Sequence, residues 1–386
     1  MKIILTSHAA NHLLRLAQGL QSKNALSRFY TIYPQFKLTP YQIDPKYVKS
    51  FQFLAASIFL LRKMKTALPE KLYSTLFDRY VALMLRFDKT ESNIVQGNSG
   101  FCLETLRAAK QKGMKTIVDR ACPHIDFQLN LLDQEVENLT GQKNAISKKH
   151  TLRQKMLLEY DLADSIIVPS TYSYNSFIAK GFSEKKLNLV PLMKEKNVTR
   201  AFLQKENKIF TVLAVGFSFY RKGFYYLLKA FHALNIKNIR LIIRTTVPKE
   251  FEYLLKHENI LAINHHLSTP DLIRYYQECD VFCLPSIDEG FGMAAMEGMA
   301  AGKPIIVTHN VGMTDLITHQ KEGFILPIRD VQAIRESILM LYENKALCEK
   351  MGEAAYHCEQ QYSQAQYIQT IMNVYRNKCM VSEIPI

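Results

Sequence analysis

The chain has 386 residues, 48% hydrophobic and 22% charged, with 21 Phe and 20 Tyr; this excludes disorder over most of its length and, at roughly 150 residues per domain, suggests two domains. The longest charge-free apolar stretch near the amino terminus, residues 50–61, is too short for a membrane span of about 20 residues, and the first five residues read as a strand rather than a signal peptide, so a cytoplasmic protein is expected. The net charge of +14 is uneven, with 27 Lys+Arg against 15 Asp+Glu in residues 1–190 and 22 against 20 in residues 191–386, and the seven scattered cysteines contain no C-x-x-C pair that would point to zinc or to a disulfide framework.

In chain order, residues 2–7 read as a strand and 9–21 as a helix carrying Leu13, Leu14, Leu16 and Leu20. Residues 51–88 read as long helices broken at Pro69. One carries an apolar face of Phe53, Leu54, Ile58, Leu61 and Met64; the other, a face of Leu76, Phe77, Tyr80, Val81 and Met84. Strands at 93–97, 115–121, 165–170 and 186–191 then alternate with helices at 101–113, 152–164 and 171–181. After the polar stretch 192–208 the alternation resumes. Strands are expected at 209–216, 239–245, 281–286, 303–309 and 323–328, and helices at 222–234, 267–280, 292–302, 330–355 and 362–377. Such alternation predicts parallel sheets covered by helices on both faces. The expected architecture is α/β: two Rossmann-like domains, residues 1–195 and 196–362, facing a central cleft. Residues 363–386 form a last helix and tail that cross back to the first domain.

Open α/β sheets bind ligands at the carboxyl ends of their strands, so the strand-to-helix turns hold the candidate chemistry. Residues 285–306, PSIDEGFGMAAMEGMAAGKPII, combine a strand end, a loop with Asp288, Glu289, Gly290, Phe291 and Gly292, and a small-residue helix bearing Glu297, eight positions beyond Glu289 with seven residues between them. The glycines admit a ligand close to the backbone. The helix start near Gly292 offers free N–H groups and a positive dipole end to an anion such as a diphosphate. Glu297 suits paired hydroxyls such as those of a ribose. In VGFSFYRKGF (215–224), Arg221 and Lys222 precede a helix start and can neutralise a leaving diphosphate. In VDRACPHIDFQ (118–128), His124 follows the end of a strand. Secondary candidates are Ser7, His8 and Asn11 in the first loop, Gln96 and Asn98 facing an acceptor cleft, and the turn Gly312–Met313–Thr314 beside the donor; His265 and His266 read as structural.

The segment 285–306 resembles the E-x7-E signature of retaining glycosyltransferases of the GT-B fold, family 4, of bacterial type. YYQECDVFCLPS (275–286), AAGKPIIVTHNVGMTDLI (300–317) and EGFILPIRD (322–330) resemble the flanks of that signature, and the likeness covers most of 209–345. The resemblance implies transfer of a sugar from a nucleotide-sugar donor to an acceptor hydroxyl with retention at the anomeric carbon. It implies a front-face mechanism in which the leaving phosphate helps deprotonate the acceptor. It gives Glu289 the sugar hydroxyls, Lys222 and Arg221 the diphosphate, Glu297 the ribose, and Gly290, Phe291, Gly292 and Met293 the backbone around sugar and phosphate. His124 would reach the sugar across the cleft. Two departures stand out: Phe217 occupies a position where similar proteins carry a basic residue, and the first loop has no glycine.

No metal cluster is visible, and neither metal nor cofactor is expected. The acceptor is expected to be a glycan or lipid-linked glycan of bacterial surface polysaccharide or lipopolysaccharide synthesis. It would be met by the basic first half, with residues 60–89 docking on the anionic inner face of the plasma membrane. The rival reading is a non-catalytic sugar- or membrane-binding scaffold of the same fold. A nucleic-acid partner is not expected, because basic residues are not interleaved with aromatics in any known module.

Overall fold

The computed structural model describes residues 1–9, 12–63, 69–193, 198–200, 209–265 and 267–380. Among the described residues, short and mostly apolar runs make thirteen strands: β1 Ile3–Ser7, β2 Leu26–Thr31, β3 Val48–Ser50, β4 Ile94–Asn98, β5 Lys115–Asp119, β6 Ser165–Val168, β7 Leu187–Leu189, β8 Phe210–Val215, β9 Ile239–Arg244, β10 Ile260–Ile263, β11 Val281–Leu284, β12 Ile305–Thr308 and β13 Gly323–Leu326. The central strands β1, β4, β11 and β12 are buried along their whole length, as a parallel sheet covered on both faces requires.

Two sheets result, ordered β3-β2-β1-β4-β5-β6-β7 and β10-β9-β8-β11-β12-β13. Their strand pairs are parallel, with Phe210 facing Ile239 and Phe282 facing Ile305, for example. Each sheet reverses its winding once, between β1 and β4 in the first and between β8 and β11 in the second. At such a reversal the loops leaving neighbouring strands diverge and open a crevice. In the second sheet, the loops leaving β8 and β11 are those that carry Arg221–Lys222 and Glu289. The architecture is the GT-B arrangement of two Rossmann-like domains.

Several elements escape the sequence pattern. Strand β2, LSRFYT, carries an arginine and a serine, and β3 is only three residues, VKS. Strand β10 has four residues, and the helix Ile125–Thr140 is not among the expected elements because its face toward the other domain mixes Gln128 and Glu135 with Leu131. The expected helix 330–355 is two helices, Val331–Glu343 and Lys345–Glu359. Asn344 separates them, its side chain accepting the Leu347 N–H at 2.9 Å. Residues 51–88 give helices Gln52–Lys63 and Glu70–Phe87, with Pro69 at the cap of the second. Their faces differ from expectation: Leu54, Phe77 and Val81 are buried, but Phe53 is 85% and Leu76 40% exposed. The expected face residues Ile58, Leu61 and Met64 lie outside the described side chains, as does most of the stretch 192–208.

The helix Gln364–Met380 packs on the helix His12–Ser22 of the first domain. A side-chain β-carbon at Gly19 would fall 2.3 Å from Ile368 Cδ1, so the approach is close. Tyr367, Ile368, Ile371 and Tyr375 are buried there. The Tyr375 hydroxyl donates to Gln96 Oε1 at 2.5 Å, Gln96 Nε2 donates to Asp119 at 2.8 Å, and His12 Nε2 meets the other Asp119 oxygen at 3.0 Å. Gln96, fully buried, is therefore part of this internal network rather than of an acceptor cleft. Tyr375→Phe strips the buried Gln96 carbonyl of its donor. It is expected to lower stability by about 1–3 kcal/mol, read as a shift in the urea midpoint.

Candidate active site

The loop leaving β8 runs from Gly216 to the helix Phe224–His232, and the loop leaving β11 runs from Pro285 to the helix Met293–Ala300. The two loops are stitched together. The Arg221 carbonyl accepts the Ile287 N–H at 2.9 Å and the Asp288 N–H at 3.3 Å. Arg221 Nη1 donates to the Asp288 carbonyl at 3.1 Å. Gly223 has φ +64, and a β-carbon there would lie 2.0 Å from the Pro285 carbonyl oxygen, so a larger residue would push the loops apart.

This stitching brings three predicted residues to one point. Glu289 Oε2 accepts from Arg221 Nη1 at 2.6 Å and from Lys222 Nζ. Burial alone would raise the Glu289 carboxyl, but Lys222 and Arg221 outweigh it and hold it down at about 2. Burial lowers the Lys222 ammonium, with Glu289 opposing; burial also opposes the Arg221 charge, which Glu289 holds in place. The Lys222 stem lies across Gly216, within 2.8–3.1 Å of where a β-carbon would sit.

The backbone after Glu289 is equally tied. The Glu289 carbonyl accepts the Gly312 N–H at 2.9 Å, and the Phe291 carbonyl accepts the Met313 N–H at 2.6 Å. The predicted turn at 312–314 thus braces the motif loop. Gly292 caps the helix Met293–Ala300, and Phe291 is buried. Glu297, on that helix, is buried beside Tyr276, whose hydroxyl is pushed up first by its burial and then by the Glu297 carboxylate.

The first domain closes onto this loop. The Gly290 carbonyl accepts from Ser170 Oγ at 2.6 Å and Ser173 Oγ at 3.2 Å. A β-carbon on Gly290 would sit 2.3 Å from the Ala121 carbonyl oxygen, so glycine sets how near the domains come. Asp288, fully buried, accepts from Gln128 Nε2 at 2.5 Å and from the Tyr172 hydroxyl at 2.8 Å. Gln128 Oε1 in turn accepts from Arg120 Nη2 at 3.0 Å, which fixes the direction of its amide. Burial raises the Asp288 carboxyl, with Gln128 and Tyr172 opposing. A second link joins Glu135 to Arg329 at 2.6 Å. Gln128, Leu131 and Glu135 share one face of the helix Ile125–Thr140, and Leu131 packs on the second domain's core.

His124 is not brought into this cluster. It is 3% exposed, its ring packed 5.0–5.5 Å from Tyr160, Phe177 and Phe182. Its Nδ1 accepts the Asp126 N–H at 3.1 Å, capping the helix that carries Gln128. Desolvation lowers it to about 4, so it is neutral at pH 7. In the first loop, Ser7 Oγ donates to the Ala9 carbonyl at 2.9 Å and His8 stacks on Phe101 at 3.4 Å; Asn11 and His266 lie outside the described residues. Sequence reasoning missed Gln128, Tyr172, Ser170 and Ser173, which carry no local signal and meet Asp288 and Gly290 only through the tertiary fold.

The two-sheet fold thus places a carboxylate held by two cations where the second sheet reverses its winding. Residues 195–358 match the model of the family described as Glycosyl transferases group 1. An uncharacterized glycosyltransferase of Haemophilus influenzae is 30% identical over 154 residues, 38% of this chain and 43% of the relative. The capsular polysaccharide biosynthesis glycosyltransferase CapM of Staphylococcus aureus is 29% identical over 155 residues, 38% of this chain and 40% of the relative. The chain thus spans under half the length of these two relatives. Anabaena HepE, in a structure with UDP-glucose, superposes with a TM-score of 0.70 at 15% identity, covering 98% of this chain and 100% of that one, which shows the shared fold.

A carboxylate whose folded pKa lies below its unfolded value contributes stability above the unfolded value and loses it as pH falls through the folded one. Glu289, at about 2 against an ordinary 4.5, therefore contributes fully at pH 7, and that contribution fades between about 4.5 and 2. Glu289→Gln leaves Lys222 and Arg221 without their anion and is expected to cost about 3–5 kcal/mol at pH 7. Calorimetry of both proteins from pH 7 to 2 should show the gap closing as the wild type is acidified.

Proposed function

We propose that the protein is a retaining glycosyltransferase that transfers a sugar from a nucleotide-sugar to an acceptor hydroxyl in the synthesis of a bacterial surface polysaccharide or lipopolysaccharide. The observation that carries the reading is the Glu289 carboxylate held by Lys222 and Arg221 where β8 and β11 diverge. The family match over 195–358 and the likeness to CapM and HepE support it.

In this reading the diphosphate lies near Lys222, Arg221 and the start of the helix Met293–Ala300, which stabilise the charge that grows as the anomeric C–O bond breaks. Glu289, fixed by its two cations, receives the sugar hydroxyls. Gly290, Phe291, Gly292 and Met293 line the sugar and phosphate, and Glu297 takes the ribose. The acceptor oxygen bonds to the anomeric carbon on the face the phosphate leaves, and its proton passes to a phosphate oxygen, so configuration is retained. Cationic side chains then supply the charge stabilisation with no metal or cofactor. His124 acts indirectly, by capping the helix that presents Gln128 to Asp288.

The acceptor side carries a second observation. Leu72, Leu76, Leu83 and Phe87 form an exposed stripe on the helix Glu70–Phe87, flanked by exposed Lys71, Arg79 and Arg86. No helix among the described residues is long and apolar enough to cross a membrane. We assign this stripe to contact with an anionic membrane surface at the inner face of the plasma membrane, where a lipid-linked acceptor would be met.

Two experiments test these assignments. In a thermal-shift panel of UDP, GDP, ADP, CDP and dTDP, one nucleotide at about 100 times its Kd should stabilise by about 2.7 kcal/mol, and Glu297→Ala should abolish the shift; no shift with any of the five would sink the donor assignment. In co-sedimentation with vesicles containing phosphatidylglycerol at low salt, the wild type should pellet. Leu76→Asp with Leu83→Asp should remain in the supernatant, and equal pelleting of both would remove the membrane assignment.

A further inference from the structure

The pair formed by Phe217 and Arg244 is not absorbed by the site above. Arg244 ends β9, beside β8, and its carbonyl accepts the Gly216 N–H at 3.0 Å. Alternation along the strand puts Arg244 on the same face as Ile242, which packs in the core with Tyr276 and Met296. Its side chain therefore rises at the carboxyl edge of the sheet, on the side that carries Glu297. Its guanidinium lies 4.1 Å from the centre of the Phe217 ring, within cation–π range. Arg244 is only 7% exposed, whereas Phe217 is 63% exposed. Buried Nε of Arg244 has no hydrogen-bond partner, nor has the hydroxyl of the adjacent Thr245. Among the described residues no carboxylate forms an ion pair with Arg244; the Tyr276 hydroxyl is the acidic group that acts on it.

A guanidinium with an orphaned N–H, over an aromatic ring at the ligand edge of a parallel sheet, is built to receive an anion. The charge balance next to it says which. Lys222 and Arg221 both pair with the Glu289 carboxylate, and the Asp288 carboxylate also acts on Arg221, so much of their charge is already met within the site. Gly216 separates this cluster from Phe217 and Arg244, with the Lys222 stem on one side and the Arg244 backbone on the other.

We infer that Arg244, seated on Phe217, is a further donor-binding residue that takes the diphosphate of the nucleotide-sugar. This replaces the cation that similar proteins place at position 217 with one delivered from the neighbouring strand. The inference rests on the glycosyltransferase reading. The aromatic ring at 217 is then a support rather than a defect: it holds the guanidinium plane and shields it from water on one side.

The test is calorimetric titration of the full chain with the nucleoside diphosphate that shifts the wild type, and with the same nucleoside lacking phosphates. Arg244→Ala should weaken the diphosphate at least about tenfold and leave the nucleoside within about twofold, since a charge-assisted contact to phosphate is what is lost. Arg244→Lys should recover part of the loss. Phe217→Ala removes an exposed ring without touching the core, and should weaken the diphosphate several-fold with no change in melting temperature. Unchanged diphosphate affinity in Phe217→Ala and Arg244→Lys, or equal loss of nucleoside and diphosphate in Arg244→Ala, overturns the inference while leaving the donor reading intact. Binding of none of the five nucleoside diphosphates by the wild type overturns both.

Discussion

The Glu289 carboxylate, shared by Lys222 and Arg221, is the interaction on which the candidate site depends. A buried carboxylate is tolerated only when its charge is met, and here the two cations come from the loop of the neighbouring strand. The ion pairs therefore fix the position of one loop against the other. The Arg221 carbonyl adds two backbone bonds to the same junction. With the two loops locked, Gly290 and Asp288 point toward the first domain in a defined register.

That register is read by one helix. Ile125–Thr140 belongs to the first domain but presents Gln128 to Asp288 and Glu135 to Arg329 along a single face. Arg120 holds the Gln128 amide by its oxygen, so its nitrogen is left to donate to Asp288. His124 caps the helix start. The segment from Arg120 to Gln128 thus works as one unit that carries the position of β5 across to the other sheet. Separating the domains would leave the buried Asp288 without its donors, an expensive state unless water or substrate replaces them.

The alternation of strands and helices was legible because parallel strands buried on both faces are continuous apolar runs, as in IIVT of β12. The spacing of Glu289 and Glu297 and the basic step at Lys222 were legible because ligand-facing chemistry clusters at strand ends. Tertiary pairing was not. Asp288 and Gln128 are 160 positions apart, and nothing local in either segment announces the other. His124 has the same ordinary surroundings whether it faces a cleft or, as here, an aromatic core. Leu76 sat within an apolar pattern yet faces outward, because helical period shows where a stripe lies and not what covers it. Arg244 passed unnoticed at the end of an apolar strand, where a single charge reads as a terminus.

The helix Gln364–Met380 has a consequence for how the molecule is made. Its buried residues Tyr367, Ile368, Ile371 and Tyr375 share a core with Leu13, Leu16 and Leu20, laid down some 350 positions earlier in the chain. During synthesis the first sheet emerges before the second, but the hydrophobic groove over the helix His12–Ser22 stays open, and Gln96 lacks its phenolic partner, until the helix Gln364–Met380 leaves the ribosome. The nascent chain must therefore carry an unfinished domain through translation of the whole second one. The first domain's core is therefore closed by a segment that follows the second domain in the chain.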